Sequence, residues 1–354
     1  MIQSRSQTVQ TTPWLLRHPL KLRWLRYLTL LFIVGLSVHV LLPRIADMKK
    51  SWAVLQQMSW ALLGLAILGQ IGRYVGSGFL LQSLVQMARG KLKLGRSISI
   101  ELAATSIGLV AAGAVGSMIA LYNWILPTGL DKQGAGLTAV LKSILTDVML
   151  FALSVVSLVY LLLAHDLSST QIWVLTAVLS GMLLLAGGLL WGIAHPLALT
   201  KQLDRLLAFG ARLRGQPAND QTAEHLVQQL VEIVAVLRSG GWHKPLLGAL
   251  IKTSFDLSTL YVLFVAAHHP VTLEVLLIGY GLPMLLGKIS FLPGGVGVVE
   301  ATMTAVYTSF GVSAEVSVVV ILAYRFISFW LPILFGIPLA VYLQRETAVA
   351  GLAQ

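Results

Sequence analysis

The chain has 354 residues, 56% of them hydrophobic and only 11% charged, with a mean hydropathy of +0.82 and a net charge of +11. Soluble domains carry about 25% charged residues, so the composition is that of a membrane protein. The basic excess then points to cytoplasmic loops rather than to nucleic acid. Cysteine is absent, which excludes disulfide frameworks, zinc-thiolate and iron–sulfur sites and a thiol nucleophile in this chain.

Residues 1–23 form a basic N-terminal segment. Trp14 to Arg26 mixes Trp and Leu with Arg17, Lys21, Arg23 and Arg26, as an interfacial stretch on anionic headgroups does. The uncharged run from Tyr27 to Pro43 has no clear small-residue cleavage site and reads as an uncleaved first span, at about 24–42. A second span follows at about 60–85, then a basic loop with Arg89, Lys91, Lys93 and Arg96. The apolar stretch 98–126 contains Gly108, Gly113 and Gly116. Further spans are expected at about 138–163, 172–194, 245–266 and 315–343, each long enough to cross about 30 Å of hydrocarbon. A polar, amphipathic insert occupies about 197–244, broken by Gly215 to Pro217. The apolar stretch 272–311 is broken at Pro293–Gly297.

Charge fixes the topology. Both basic loops belong in the cytoplasm with the N-terminus. A full crossing at 98–126 would put the two loops on opposite faces, so that stretch is expected to be a re-entrant hairpin turning at its glycines. Broken backbone of this kind is tolerated where protein or a water-filled cavity surrounds it. The same logic makes 272–311 a second re-entrant hairpin, entering from outside. This layout puts 17 of the 25 Lys and Arg residues on the cytoplasmic side, three outside and five within the membrane.

The expected fold is therefore an all-α polytopic membrane protein with about six full spans and two re-entrant helical hairpins. Residues 24–344 form a single transmembrane domain. It is built from an inverted-topology repeat, one copy at about 24–165 and the other at about 172–344, as in many secondary transporters. The expected location is the bacterial inner membrane, with both termini cytoplasmic.

Ionisable groups at bilayer depth are costly and mark functional sites. Arg73, Asp147, Asp256 and Arg325 fall near mid-depth by residue count, and Glu300 lies one turn past the Pro293–Gly297 break. Lys252 precedes Asp256 by one turn on the same helix face. Arginine suits a phosphodiester because its planar fork binds two oxygens at once. The carboxylates could orient the arginines, receive a lipid amine or carry a coupling proton; internal ion pairs that lock helix packing are the alternative. In Phe291 to Glu300, Pro293 cannot donate a backbone hydrogen bond, and Gly294, Gly295 and Gly297 allow unusual dihedrals. Free amides at such a break could face an anionic headgroup, or the break could serve packing alone. Gly72 and Gly76 have the spacing of close helix packing. His268 and His269 could bind a metal or sense pH, but adjacent loop histidines more often do neither. No phosphate-binding loop, nucleophile elbow or metal-ligand spacing is present, so neither an enzyme nor a cofactor is expected.

Phe291 to Leu343, with Pro-Gly-Gly-x-Gly-x-x-Glu, then Tyr324-Arg325 and Trp330-Leu331-Pro332, resembles the C-terminal signature of the lysylphosphatidylglycerol synthase transmembrane family. Arg73 in GRYVGSGFLLQSL and Asp147 in LKSILTDVMLFAL are similar to that family's first-half Arg and Asp. The resemblance spans about residues 20–345. It implies a flippase fold that, in the fused resistance factors, moves aminoacylated phosphatidylglycerol to the outer leaflet. With the chain ending at Gln354, the expectation is a stand-alone member without the aminoacyl-transferase domain. The family's first-half Pro-Gly and nearby polar groups are missing, because Ala111–Ala120 is apolar apart from Ser117. A lysyl headgroup therefore does not follow. The resulting expectation is a translocase binding a phospholipid or polyprenyl-phosphate lipid at a midplane cavity. The alternative is a non-transporting scaffold for membrane enzymes docked through 197–244.

Overall fold

The computed structural model describes residues 48–164, 169–195, 197–201, 240–290 and 293–352, with Gln228 and Ala235. The expected first span at 24–42 and nearly all of the 197–244 insert lie outside the described residues. Every regular element among the described residues is helical. Three helices are long and apolar enough to cross a membrane, Lys132–Tyr160, His243–Ala266 and Ala314–Glu346, and a fourth is added if Ser51–Gln57 and Trp60–Met87 count as one bent span. Leu163, Leu184 and Leu334 turn outward with more than half of their surface open. A belt of this kind is a liability in water and ordinary in lipid.

In chain order the helices are α1 (Met48–Gln57), α2 (Trp60–Met87), α3 (Leu94–Ile107), α4 (Gly113–Ile125), α5 (Lys132–Ala164), α6 (Ser169–Ala194), α7 (His243–Ala266), α8 (Leu273–Ile289), α9 (Val298–Ser309), α10 (Ala314–Arg325) and α11 (Leu331–Leu352). The chain bends by 87° between α1 and α2.

The central pair is α2 and α7, which run antiparallel in close contact. Glycines on the facing surfaces make this possible. A Cβ at Gly72 would stand 2.6 Å from the Phe255 ring, one at Gly76 2.5 Å from the Lys252 backbone N, and one at Gly248 2.6 Å from the Leu80 N. Without a hydrophobic driving force between helices in lipid, close backbone approach of this kind supplies the packing energy.

The two glycine-bearing apolar stretches both form helical hairpins. α3 and α4 pack on each other across a π-helical turn, Gly108–Ala112, and Gly113 reverses the chain with φ 57° and ψ −142°. That conformation is essentially restricted to glycine. α8 and α9 pack likewise across Pro293–Gly295, where Gly294, Gly295 and Gly297 have φ of 62°, 65° and 85°. The two tips touch. Each hairpin also packs on the far end of the other half: α3 lies along α11, and α8 along α5. Ser106 of α3 donates to the Pro332 carbonyl at 2.9 Å, and Gly336 leaves room for its hydroxyl.

Candidate functional site

Between the hairpin tips, α2, α5, α7 and α10 enclose a cavity of about 640 Å³. Its wall includes Thr105, Gly108, Gly113 and Ser117 from the first hairpin, and Met284, Gly287, Ser290 and Gly294 from the second. Five cationic side chains also line it: Arg73, Lys142, Lys252, Lys288 and Arg325. Asp147 is the one carboxylate among the described lining residues.

Arg325 ends α10 and ties the second tip together. Its Nε donates to Glu300 Oε1 at 2.6 Å, its Nη2 donates to the Gly294 carbonyl at 2.8 Å, and its guanidinium stacks 4.6 Å from the Phe329 ring centre. Glu300 Oε2 in turn accepts the Gly297 amide at 2.7 Å, capping α9. Of the amides at the break that could face a headgroup, that of Gly297 is thus already taken. Gly294 reaches the cavity wall, whereas Pro293, Gly295 and Gly297 shape the turn behind it. Arg325 has five N–H donors, of which the described residues use two, so donors remain for a ligand.

Asp256 is buried, at 3% exposure, and accepts hydrogen bonds from three groups while pairing with a fourth, the Arg73 guanidinium. Gln70 Nε2 lies at 2.9 Å, Tyr280 OH at 2.7 Å, Tyr324 OH at 3.1 Å and Arg73 Nε at 3.5 Å. It sits behind Arg73 rather than on the wall and fixes that guanidinium in place. Arg73 Nη1 also donates to Gln70 Oε1 at 2.9 Å and to the Ser328 carbonyl at 3.4 Å. Ser328 belongs to a second π-helical segment, Phe326–Trp330, which carries α10 into α11. A π turn displaces the regular i→i−4 ladder, and such turns often occur at functional sites.

Three charged members of the site, Glu101, Lys142 and Lys288, were not picked out from sequence. Glu101 of α3, 1% exposed, receives Ser77 Oγ at 2.7 Å and Lys142 Nζ at 2.9 Å. Lys288 of α8 pairs with Asp147 of α5 at the more open side of the cavity. The rule that found Arg73 also applies to Lys142 and Lys288, since each stands in an apolar run.

Residues 28–336 match the lysylphosphatidylglycerol synthase transmembrane region. The chain belongs to this family. It is 28% identical over 205 residues to a UPF0104 membrane protein from Methanothermobacter thermautotrophicus, covering 54% of this chain and 57% of the relative. A second UPF0104 membrane protein, from Pyrococcus horikoshii, is 34% identical over 82 residues, covering 23% of this chain and 24% of the relative. The matched stretch thus spans little more than half the length of the first relative and a quarter of the second. Family membership and the apolar helices make this a multi-pass membrane protein, related to a family that takes its name from lipid synthesis. The family match includes both hairpins and all five cations of the cavity.

Proposed function

We propose that the protein is a lipid translocase of the bacterial inner membrane, which binds a phosphate-bearing headgroup in the cavity between the hairpin tips. One observation carries this reading: five cationic side chains line a single cavity in a helical bundle whose residues are mostly apolar. Each intramembrane cation costs roughly 2.5–3.5 kcal/mol on insertion scales; carboxylates face four of the five, and an anionic ligand supplies the remaining compensation. Arg73 and Arg325 meet the phosphate with their planar forks. Asp256 and Glu300 hold them in position. Asp147, with Lys288, stands where a headgroup enters. Pro293, Gly294, Gly295 and Gly297 allow the tip to approach the ligand closely.

Movement across the membrane is supported by internal symmetry. The same residue-number interval separates Gly69 from Gly248, Ser77 from Asp256 and Glu101 from Tyr280. The paired residues play matching parts. Gly69 and Gly248 each admit the other central helix, close to Thr259 and Leu80. Ser77 donates to Glu101, and Tyr280 donates to Asp256. Lys142 and Tyr324, each the eleventh residue of its helix, complete the two clusters. The antiparallel α2–α7 pair and the reciprocal packing of the hairpins add to this support for an inverted repeat. Two such halves exchange roles as the cavity opens to one face and then the other.

The test is transbilayer movement of acyl-chain-fluorescent phosphatidylglycerol in proteoliposomes, followed by dithionite quenching. The quenched fraction should exceed that of protein-free vesicles for wild type and return to their level for Arg325→Ala. Equal quenching with and without wild-type protein contradicts translocation.

A further inference from the structure

The five cations of the cavity are not equally served. Arg73 faces Asp256, Lys142 faces Glu101, Lys288 faces Asp147 and Arg325 faces Glu300. Lys252 has no such partner: among the described residues no carboxylate lies within 4.0 Å of its ammonium. The residue is half-buried, and its backbone N rests against Gly76 at the α2–α7 crossing, where a Cβ would come within 2.5 Å. The α2–α7 crossing thus brings to the cavity wall a cation with no carboxylate partner among the described residues.

Among the described residues four carboxylates face five cations, so Lys252 lacks a countercharge that a bound anion would supply. An uncompensated charge away from bulk water is strongly unfavourable. The ligand that balances this excess carries one net negative charge. A phosphodiester without an amine, as in phosphatidylglycerol, does so. An ethanolamine headgroup is net neutral and leaves the excess standing. A lysyl ester adds two ammonium groups to the phosphodiester and doubles it.

We infer that the cavity selects lipids whose headgroup has a net charge of minus one, that Lys252 is the residue that selects them, and that cationic aminoacyl lipids are disfavoured. This inference rests on the cavity being a lipid headgroup site. It narrows the substrate class to anionic phospholipids and separates this chain from a carrier of lysylated lipid.

The test uses the full chain in detergent. It is incubated with an equimolar mixture of phosphatidylglycerol, phosphatidylethanolamine, lysylphosphatidylglycerol and diacylglycerol with matched acyl chains. Retained lipids are quantified by mass spectrometry after gel filtration. Wild type should retain phosphatidylglycerol roughly tenfold over the lysylated lipid, the ratio expected for one charge-assisted contact. Lys252→Gln should bring the phosphate lipids to near parity while all still exceed diacylglycerol, and Lys252→Arg should restore the preference. If wild type retains all three phosphate lipids equally, or Lys252→Gln keeps the preference, the charge selection is wrong and the lipid site stands. If no phosphate lipid exceeds diacylglycerol, the lipid-site reading itself fails. A parallel arm adds inorganic phosphate. Loss of retained phosphatidylglycerol there makes the ligand a soluble anion and overturns the inference, whereas unchanged retention supports a lipid.

Discussion

Lys252 and Asp256 stand one turn apart on α7, yet only Lys252 reaches the cavity, while Asp256 is turned into a buried cluster with Gln70, Tyr280, Tyr324 and Arg73. The two residues do not neutralise each other. Asp256 is committed to positioning Arg73 and Lys252 is left for a ligand, so one helix face provides both a support and a binding group.

The Asp256 cluster makes a prediction about stability. Asp256→Ala strips a partner from Arg73 and acceptors from two tyrosines and a glutamine. Breaking a buried pair from one side costs about 3–5 kcal/mol, so thermal unfolding in detergent should fall by several degrees. Arg73→Met combined with Asp256→Leu should recover part of that loss, because neither charge is then left alone.

The hairpin tips separate backbone strain from steric conflict. Gly113 occupies a dihedral region closed to other residues, but a Cβ there meets nothing within 4 Å. Gly113→Ala should cost about 1–3 kcal/mol from strain alone. Gly294 is left-handed, and a Cβ there would also collide with the Phe329 ring. Gly294→Ala should therefore be the more damaging change by thermal melt. Adding Phe329→Ala should rescue Gly294→Ala in part and leave Gly113→Ala unimproved.

Much of this architecture is legible in the chain, and the reasons are physical. The helical hairpins are legible as apolar stretches broken by glycine, with Gly113 and Gly294 where the chain turns. Arg73, Asp147, Asp256, Glu300 and Arg325 stand out because ionisable groups in apolar runs are costly. What the pattern does not contain is partnership. Glu101 stands near the start of the apolar stretch 98–126, and only the fold shows that it lies wholly inside, held by Ser77 and Lys142. The Gly297 amide reads as free, because only the folded tip brings Glu300 back to cap it. The π-helical segments at Gly108–Ala112 and Phe326–Trp330 have no sequence period of their own.

The α2–α7 crossing predicts a steep dependence on side-chain size. Gly76→Leu and Gly248→Leu force side chains into the backbone of the opposite helix. Each should lower the yield of monodisperse protein sharply. Gly64→Leu, on the same helix as Gly76 with nothing within 4 Å of its Cβ position, should be tolerated, as judged by gel filtration.

Topology is open to direct test because the chain contains no cysteine. Single cysteines at Lys91 in the loop before the first hairpin and at Gly129 after it should react from the cytoplasmic face only with a membrane-impermeant maleimide. A cysteine at Gly311, after the second hairpin, should react from outside only. Labelling of Lys91Cys and Gly129Cys from opposite faces would make the first hairpin a full crossing.

The central claim is that a lipid headgroup occupies the cavity between the hairpin tips. It is tested most directly by identifying the lipids that co-purify with the protein in mild detergent. Wild type should carry one phosphate-bearing lipid class enriched over its share of the membrane. That enrichment should disappear in Arg325→Ala and in Thr105→Trp, which fills the cavity while leaving every charged residue in the chain. A lipid profile matching the bulk membrane in all three proteins would contradict the account.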